Sequence, residues 1–413
     1  MSKIRYVLTL IALGVCGGTI YIIPYVRYSF YTQLTEVMQV SNAQLASLTS
    51  MYALVAIILF IPGGIMADKF NAKKLIVFSL AGTTILTVIF ALQMNYFVAN
   101  IVWIGLAVTT GTTFWPGFVK FLNALGDAES SARTFGYYYA LNGISAAIVN
   151  AITLWVISHY NIKAGMLTIA ASTTIALILI CILLDEKQQA AVADVKTSDE
   201  DKFKFSDLGV VVKNPATYIL GIVSFCTYAI YSNTSYFTPY LVDVLDVSPE
   251  ASSIYSIIRT YVFMLLAPIG GFMADKVFKS TGKWLAITLS AIAVLYIVIL
   301  LLPSSVSPTF ASIYTLIPAA IAMSMYGIRY SILRELPIRP AIVGTVMGVA
   351  SMISWLTDFI LPPVFGTLLD RLGNEGYTYI FIILAVIGAV GVAVSLIAVN
   401  MNKKSKAEYA AAE

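Results

Sequence analysis

Long apolar runs dominate the chain, and short polar breaks punctuate them. A helix rises about 1.5 Å per residue and a bilayer core is about 30 Å thick, so a span needs about 20 apolar residues. Runs of that length predict helices near 6–38, 43–67, 74–93, 96–125, 133–157, 163–184, 215–244, 249–275, 283–302, 309–335, 341–369 and 376–400. Ser41, three residues before Gln44, reads as the N-cap of the second helix, and Ser248, followed by Pro249, as that of the eighth. The one long polar interruption, 185–214, is rich in Asp, Glu, Lys and Ala and reads as a linker. The opening run behind Lys3 and Arg5 has the outline of a signal peptide. It lacks an A-x-A cleavage site and runs on past Ile23, so it is expected to stay as the first span.

The pattern repeats. Displaced by 207 residues, Ser41 falls on Ser248, Gly63-Gly64 on Gly270-Gly271, and Met66-Ala67-Asp68-Lys69 on Met273-Ala274-Asp275-Lys276. Phe30, Leu34 and Val37 fall on Phe237, Leu241 and Val244 in the same register. Two copies of a six-helix unit flanking a linker match the parallel-repeat architecture of transporters, in which the substrate site lies near mid-membrane between the repeats. The expected fold is an all-α membrane protein of twelve transmembrane helices in two pseudo-symmetric bundles. Residues 1–184 form the first bundle, 185–214 the cytoplasmic linker, and 215–413 the second bundle with a short cytoplasmic tail.

Composition sharpens this picture. The chain of 413 residues is 59% hydrophobic and 11% charged, against roughly 25% charged in soluble domains. A soluble enzyme is therefore excluded. The single histidine, His159, and three cysteines in apolar stretches leave no metal-ligand spacing and no Ser-His-Asp triad. No Walker loop is present, so ATP does not drive the chain, and the reading is of a non-enzyme without a cofactor. The net charge of +4 is small and dispersed between helices, which argues against a nucleic-acid partner. Of the 25 Lys and Arg residues, nineteen fall on one side of the predicted topology, two (Lys163, Arg371) on the other, and four inside helices. The positive-inside rule then puts both termini in the cytoplasm.

The segment Gly64-x-x-x-Asp68-Lys69 with Lys73-Lys74 beyond it, echoed by Gly271-x-x-x-Asp275-Lys276, resembles the loop signature of the major facilitator superfamily; Asn71 and Ala72 depart from its usual glycine and basic residue. The resemblance implies a conformational latch at Gly64, Asp68, Lys69, Asp275 and Lys276. Its physical logic is a glycine at a close helix crossing and an acid facing a neighbouring helix's positive N-terminus. Tyr21-x-x-x-x-x-Arg27-x-x-Phe30 and Trp115-Pro116-x-x-x-Lys120 are similar to the organophosphate–phosphate antiporter and organic-anion branch, where a helix-one arginine binds the anion. A second arginine of that branch has no counterpart in 226–234; Arg259, one helix on, is the available substitute.

Charges inside spans are expensive, at least about 2.5–3.5 kcal/mol at mid-helix, and so face a cavity or a partner. Arg27, Tyr31, Lys120, Arg259 and Arg329 are the candidate ligands of a small anion. Asp358, the only acid deep in a span, and Glu335, at the inner end of helix ten, are the coupling candidates. Four buried cations against one deep acid favour an anionic substrate. The expectation is a secondary active transporter of a small organic anion working by alternating access, with a proton or a counter-anion as its second substrate. It is expected to be a monomer in the lipid of a bacterial cell (inner) membrane. A carrier of a neutral or zwitterionic solute such as a sugar or peptide, and a non-transporting receptor of the same fold, remain open.

Overall fold

The computed structural model describes residues 3–125, 131–184, 205–302, 306–338 and 342–412. Every regular element among them is helical. Eight stretches are long and apolar enough to cross a bilayer, and the last, Thr345–Asn402, holds parts of two helices, Val343–Leu372 and Gly376–Ala412. Three more spans are broken and fill the residues 3–38, 42–69 and 215–243. The result is the twelve spans the hydrophobic pattern predicts, numbered here 1–12 along the chain. With an even number of crossings both chain ends share one face, the terminal face.

The breaks have local causes, and they repeat. Span 1 is a helix over Lys3–Ile20, a turn at 21–25, a 3-10 turn over Val26–Tyr28 and a helix over Tyr31–Met38, where the sequence pattern had suggested one helix. Pro24 lies in the turn and cannot donate the backbone bond a helix needs. The indole of Trp103 takes up its carbonyl at 3.1 Å, as buried backbone in lipid requires. Span 7 breaks at the equivalent place, with a 3-10 turn over Thr234–Tyr236 between Pro215–Asn233 and Phe237–Asp243. Span 2 kinks at Leu59 and span 8 at 261–266, next to Pro62 and Pro268. The predicted caps are present: Ser41 and Gln44 form a reciprocal capping box, and Ser248 accepts from the Ala251 amide. In the linker, Phe205–Lys213 is a helix, while 185–204 lies outside the described residues.

Packing doubles the sequence repeat in three dimensions. Span 1 packs on spans 5 and 6, and span 7 on spans 11 and 12; spans 3 and 6 pair as spans 9 and 12 do. Spans 2 and 4 pair as spans 8 and 10 do, and each of these crossings is made by a glycine. A Cβ on Gly63 would come within 2.6 Å of the Thr112 carbonyl oxygen, and one on Gly270 within 1.7 Å of that of Ser324. In the second half the crossing glycine is thus Gly270, the first of its pair. Gly271 has only Ile328 at 3.9 Å, and the side-chain space at Gly64 is outside the described part.

The halves meet along span 2 against span 11 and span 5 against span 8. One buried cluster lies wholly in the second half and another wholly in the first. A third joins Ile23, Phe30, Leu45 and Tyr52 of the first half to Ile257 and Tyr261 of the second. These residues lie toward the face opposite the termini, so the halves share a core there, while among the described residues nearer the terminal face the buried clusters of the two halves are separate.

Candidate functional site

The closed side is held by polar contacts between the halves. Ser50 donates to the Phe359 carbonyl at 2.5 Å, and Gln33 to Ser253 at 3.4 Å. The Tyr28 carbonyl, freed by the break in span 1, accepts from Thr238 at 2.9 Å and Ser256 at 2.6 Å. At the end of span 11 away from the terminal face, Asp370 accepts from the amides of Asn42 and Ala43 at 2.8 and 2.9 Å, capping the N-terminus of span 2 from the other half. Gly366, one turn earlier, allows that approach: a Cβ there would lie 2.6 Å from the Asn42 carbonyl oxygen.

Beneath this closure lies a cavity of about 330 Å³ between the halves. Tyr21, Tyr25, Tyr28, Tyr138, Tyr139 and Asn142 line it from the first half, and Tyr228, Tyr231, Tyr326, Arg329 and Trp355 from the second. Toward the terminal face, its lining residues Phe60, Trp115 and Tyr139 are each more than a third exposed. In span 4 the helix widens to a π-turn over Ala107–Phe114, where wide turns often mark working sites. That turn presents Thr110 to two tyrosines: Tyr52 bonds its hydroxyl at 2.7 Å and Tyr21 donates to its carbonyl at 3.2 Å.

Among the described residues lining the cavity, Arg329 alone is charged. It follows the end of the span 10 helix, Pro308–Tyr326, in a 3-10 turn over Arg329–Glu335. Its guanidinium carbon lies 4.1 Å from the Tyr326 ring centre, 4.5 Å from that of Tyr330 and 5.8 Å from that of Tyr228. Nη1 donates to the Tyr326 carbonyl at 2.8 Å, and the buried Nε has no partner among the described residues. Arginine stacked on aromatic faces keeps its charge and its planar fork in a desolvated place.

The other predicted ligands are placed elsewhere. Arg27 is buried above the cavity, with Nε on Thr49 at 2.8 Å and its guanidinium over the rings of Tyr28 and Tyr236. Arg259 is likewise buried, donating to Thr315 at 2.7 Å and Thr238 at 2.9 Å. Neither lines the cavity. Tyr31 donates to Asn42 at 2.8 Å and so ties span 1 to the start of span 2. The Lys120 side chain lies outside the described part, as do those of Gly64 and Asp68; Lys69, Asp275 and Lys276 are exposed.

The coupling candidates separate. Glu335 accepts from the Ser280 hydroxyl at 2.8 Å, from the Thr281 amide, and from the Gly282 amide at 3.3 Å. It caps the N-terminus of span 9 within its own half, a structural task, and it lies outside the cavity. Asp358 is buried behind the cavity wall and receives a hydroxyl from each half on Oδ2: Tyr228 at 2.6 Å and Tyr25 at 3.3 Å. Oδ1 has no hydrogen-bond partner among the described residues. Its bonds on Oδ2 thus come from phenols of both halves. Sequence reasoning missed Tyr228 as a partner of Asp358, because in a chain with 25 tyrosines nothing local distinguishes a cavity tyrosine from a core one.

A family model described as Major Facilitator Superfamily matches residues 6–362. The chain belongs to this superfamily. As a major facilitator protein it is a membrane transporter by kind, not an enzyme. It is 27% identical over 409 residues to the inner membrane protein YihN of Escherichia coli K12, covering 97% of each chain. It is 27% identical over 381 residues to YqcE of the same organism, covering 90% of this chain and 89% of that one. Among solved structures, a point mutant of the nucleoside transporter NupG matches at a TM-score of 0.73 and 16% identity, over 95% of this chain and 98% of that one. A bacterial homologue of the human lysosomal transporter Spinster, inward-facing and occupied, matches at 0.72 and 16%, over 97% and 98%. At such identities the likeness is one of fold, and it is the major facilitator fold of two six-helix bundles.

Proposed function

We propose that this chain is a secondary transporter carrying a small organic anion through the cavity between its halves by alternating access. The observation that carries the reading is Arg329: a stacked guanidinium with a buried, unpartnered Nε at an aromatic-walled cavity whose other described lining residues are uncharged. A buried donor without a partner is costly, and an anionic ligand is the group that would complete it. The terminal face is cytoplasmic on the lysine and arginine distribution, which makes the present arrangement inward-open. Arg27, Arg259 and Tyr31 hold the outer closure in this state, and Lys120 and the Asp68–Lys69 loop act at the inner side. The bundles are 1–184 and 215–413, and the protein works as a monomer in a bacterial inner membrane.

The test is a thermal-shift screen of the purified protein against phosphorylated, sulfonated and carboxylated metabolites, with neutral sugars and peptides beside them. Anions should stabilise the wild type. Arg329→Ala should weaken that binding about ten- to hundredfold, the loss of a charge-assisted hydrogen bond. Arg329→Lys should restore little, because an ammonium has no planar fork. Stabilisation by neutral solutes alone, or full anion affinity in Arg329→Ala, sinks the reading.

A further inference from the structure

Asp358 is a carboxylate that the cavity does not touch and that two cavity tyrosines do. Tyr25 and Tyr228 both line the cavity, come from opposite halves, and both turn their hydroxyl hydrogens away from it onto Asp358 Oδ2. Each phenol then shows the cavity only its oxygen lone pairs. An anion entering meets acceptors on that wall and a negative charge close behind it. Among the described residues Oδ1 stands without a partner, and so does the hydroxyl of Tyr28, which also lines the cavity.

We propose that Asp358 sets the hydrogen-bond polarity of Tyr25 and Tyr228, so that an anion binds in the cavity together with one proton, which is taken up on Asp358 Oδ1. This rests on the anion reading above and specifies its second substrate. A proton on Oδ1 makes the group a neutral acid. Oδ2 then accepts as a neutral carbonyl, and bonds to it are about half as strong as those to an ion. The two phenol hydrogens become free to turn into the cavity and donate to the anion, and the wall loses its negative charge. Both changes favour an anion, and by linkage the anion favours the proton equally. No bond other than these O–H contacts is made or broken, and the proton comes from and returns to water.

The groups around Asp358 agree with this role. Span 1 brings Tyr25, Tyr28 and the cation Arg27, span 2 brings Tyr52, and span 7 brings Tyr228, Tyr231 and the Ser232 hydroxyl, a third group able to hydrogen-bond the carboxyl. Span 10 brings Arg329, reached only through the Tyr228 ring. Arg27 is pinned to Thr49, so neither arginine forms the close pair that would hold the carboxylate ionised throughout the cycle. Asp358 is a positioning residue: it acts on the ligand through Tyr25 and Tyr228.

The experiment is isothermal titration of the full chain in detergent with methanesulfonate, isethionate and benzenesulfonate. Their charge does not change between about pH 5.5 and 8, so any pH dependence belongs to the protein. Repeating each titration in two buffers of different ionisation heat counts the protons taken up. The wild type should take up about one proton per sulfonate, with affinity falling up to about tenfold per pH unit as pH rises. Asp358→Asn should bind with no proton uptake and no pH dependence. Tyr228→Phe should keep the proton and lose affinity at low pH, since one switched donor is gone. Binding to the wild type without proton uptake, or uptake that persists in Asp358→Asn, overturns the inference while leaving the anion cavity standing. Failure of all three sulfonates at either pH overturns the anion reading and this inference with it. Should Asp358→Asn not fold, the wild-type proton count and Tyr228→Phe decide.

Discussion

Arg259 shows how a buried charge can look like a ligand and be a strut. Its guanidinium donates to Thr238, and the Thr238 hydroxyl donates onward to the Tyr28 carbonyl of the other half. The arginine thereby fixes which way Thr238 points, and Thr238 holds the closed side. Arg259→Met should weaken that closure by about 1–3 kcal/mol, the range for a hydrogen bond to a charged group. The expected readout is faster labelling of Gln33→Cys, in a cysteine-free background, by a membrane-impermeant maleimide added from outside. Sulfonate binding should survive the change. Loss of binding with unchanged labelling would return Arg259 to the ligand role its depth in the sequence suggested. Asp370→Ala makes the same point at the rim: removing a helix cap worth about 1 kcal/mol should speed labelling about fivefold.

At the scale of elements, the repeated Gly-Gly pairs explain how spans cross so closely. The sequence motif points to the second glycine of each pair, four residues before the aspartate. In the second half the packing assigns the crossing to the first, Gly270. Gly270→Ala would drive a methyl group to 1.7 Å from the Ser324 carbonyl oxygen, a backbone atom that cannot step aside. Overpacking of this kind costs at least about 1–3 kcal/mol. Gly271→Ala meets only Ile328 at 3.9 Å and should be neutral. Expression and melting temperature of the two variants, measured side by side, check this; equal behaviour would show that span 8 shifts freely over span 10. The broken first helices of the two halves carry a second lesson. Their 3-10 turns expose carbonyls in lipid-buried backbone, and the cross-half bonds of Thr238 and Ser256 to Tyr28 use one of them.

Over the whole molecule, a shared core on one side and separate cores on the other fit one end of the proposed alternating cycle. The halves meet where span 2 packs on span 11 and span 5 on span 8, so in that proposal rocking along these seams would open one face as it closes the other. The topology that gives this state its direction is testable without any substrate. A reporter active only outside the cytoplasm should stay silent when fused at the C-terminus or inserted at residue 200. Activity at either place reverses the orientation, and the open cavity would then face outward.

The amino-acid sequence alone determined the twelve spans, the caps at Ser41 and Ser248, and the duplication, because each depends on local hydrophobic length, capping chemistry or register. It also marked Arg329 and Asp358 as buried charges, since their cost in a span does not depend on what surrounds them. It could not say which charges meet the cavity. Arg27, Arg259 and Arg329 have the same chemistry, and only the rotation of each helix and the breaks in spans 1 and 7 set the first two on threonines and the third at the cavity. Glu335, at the inner end of helix ten, counted as a coupling candidate, but the span 9 N-terminus folds against it. The tertiary structure alone brought Tyr25 and Tyr228, 203 residues apart in the chain, to one carboxylate oxygen. That pairing joins residues of different halves, so no pattern within either half contains it.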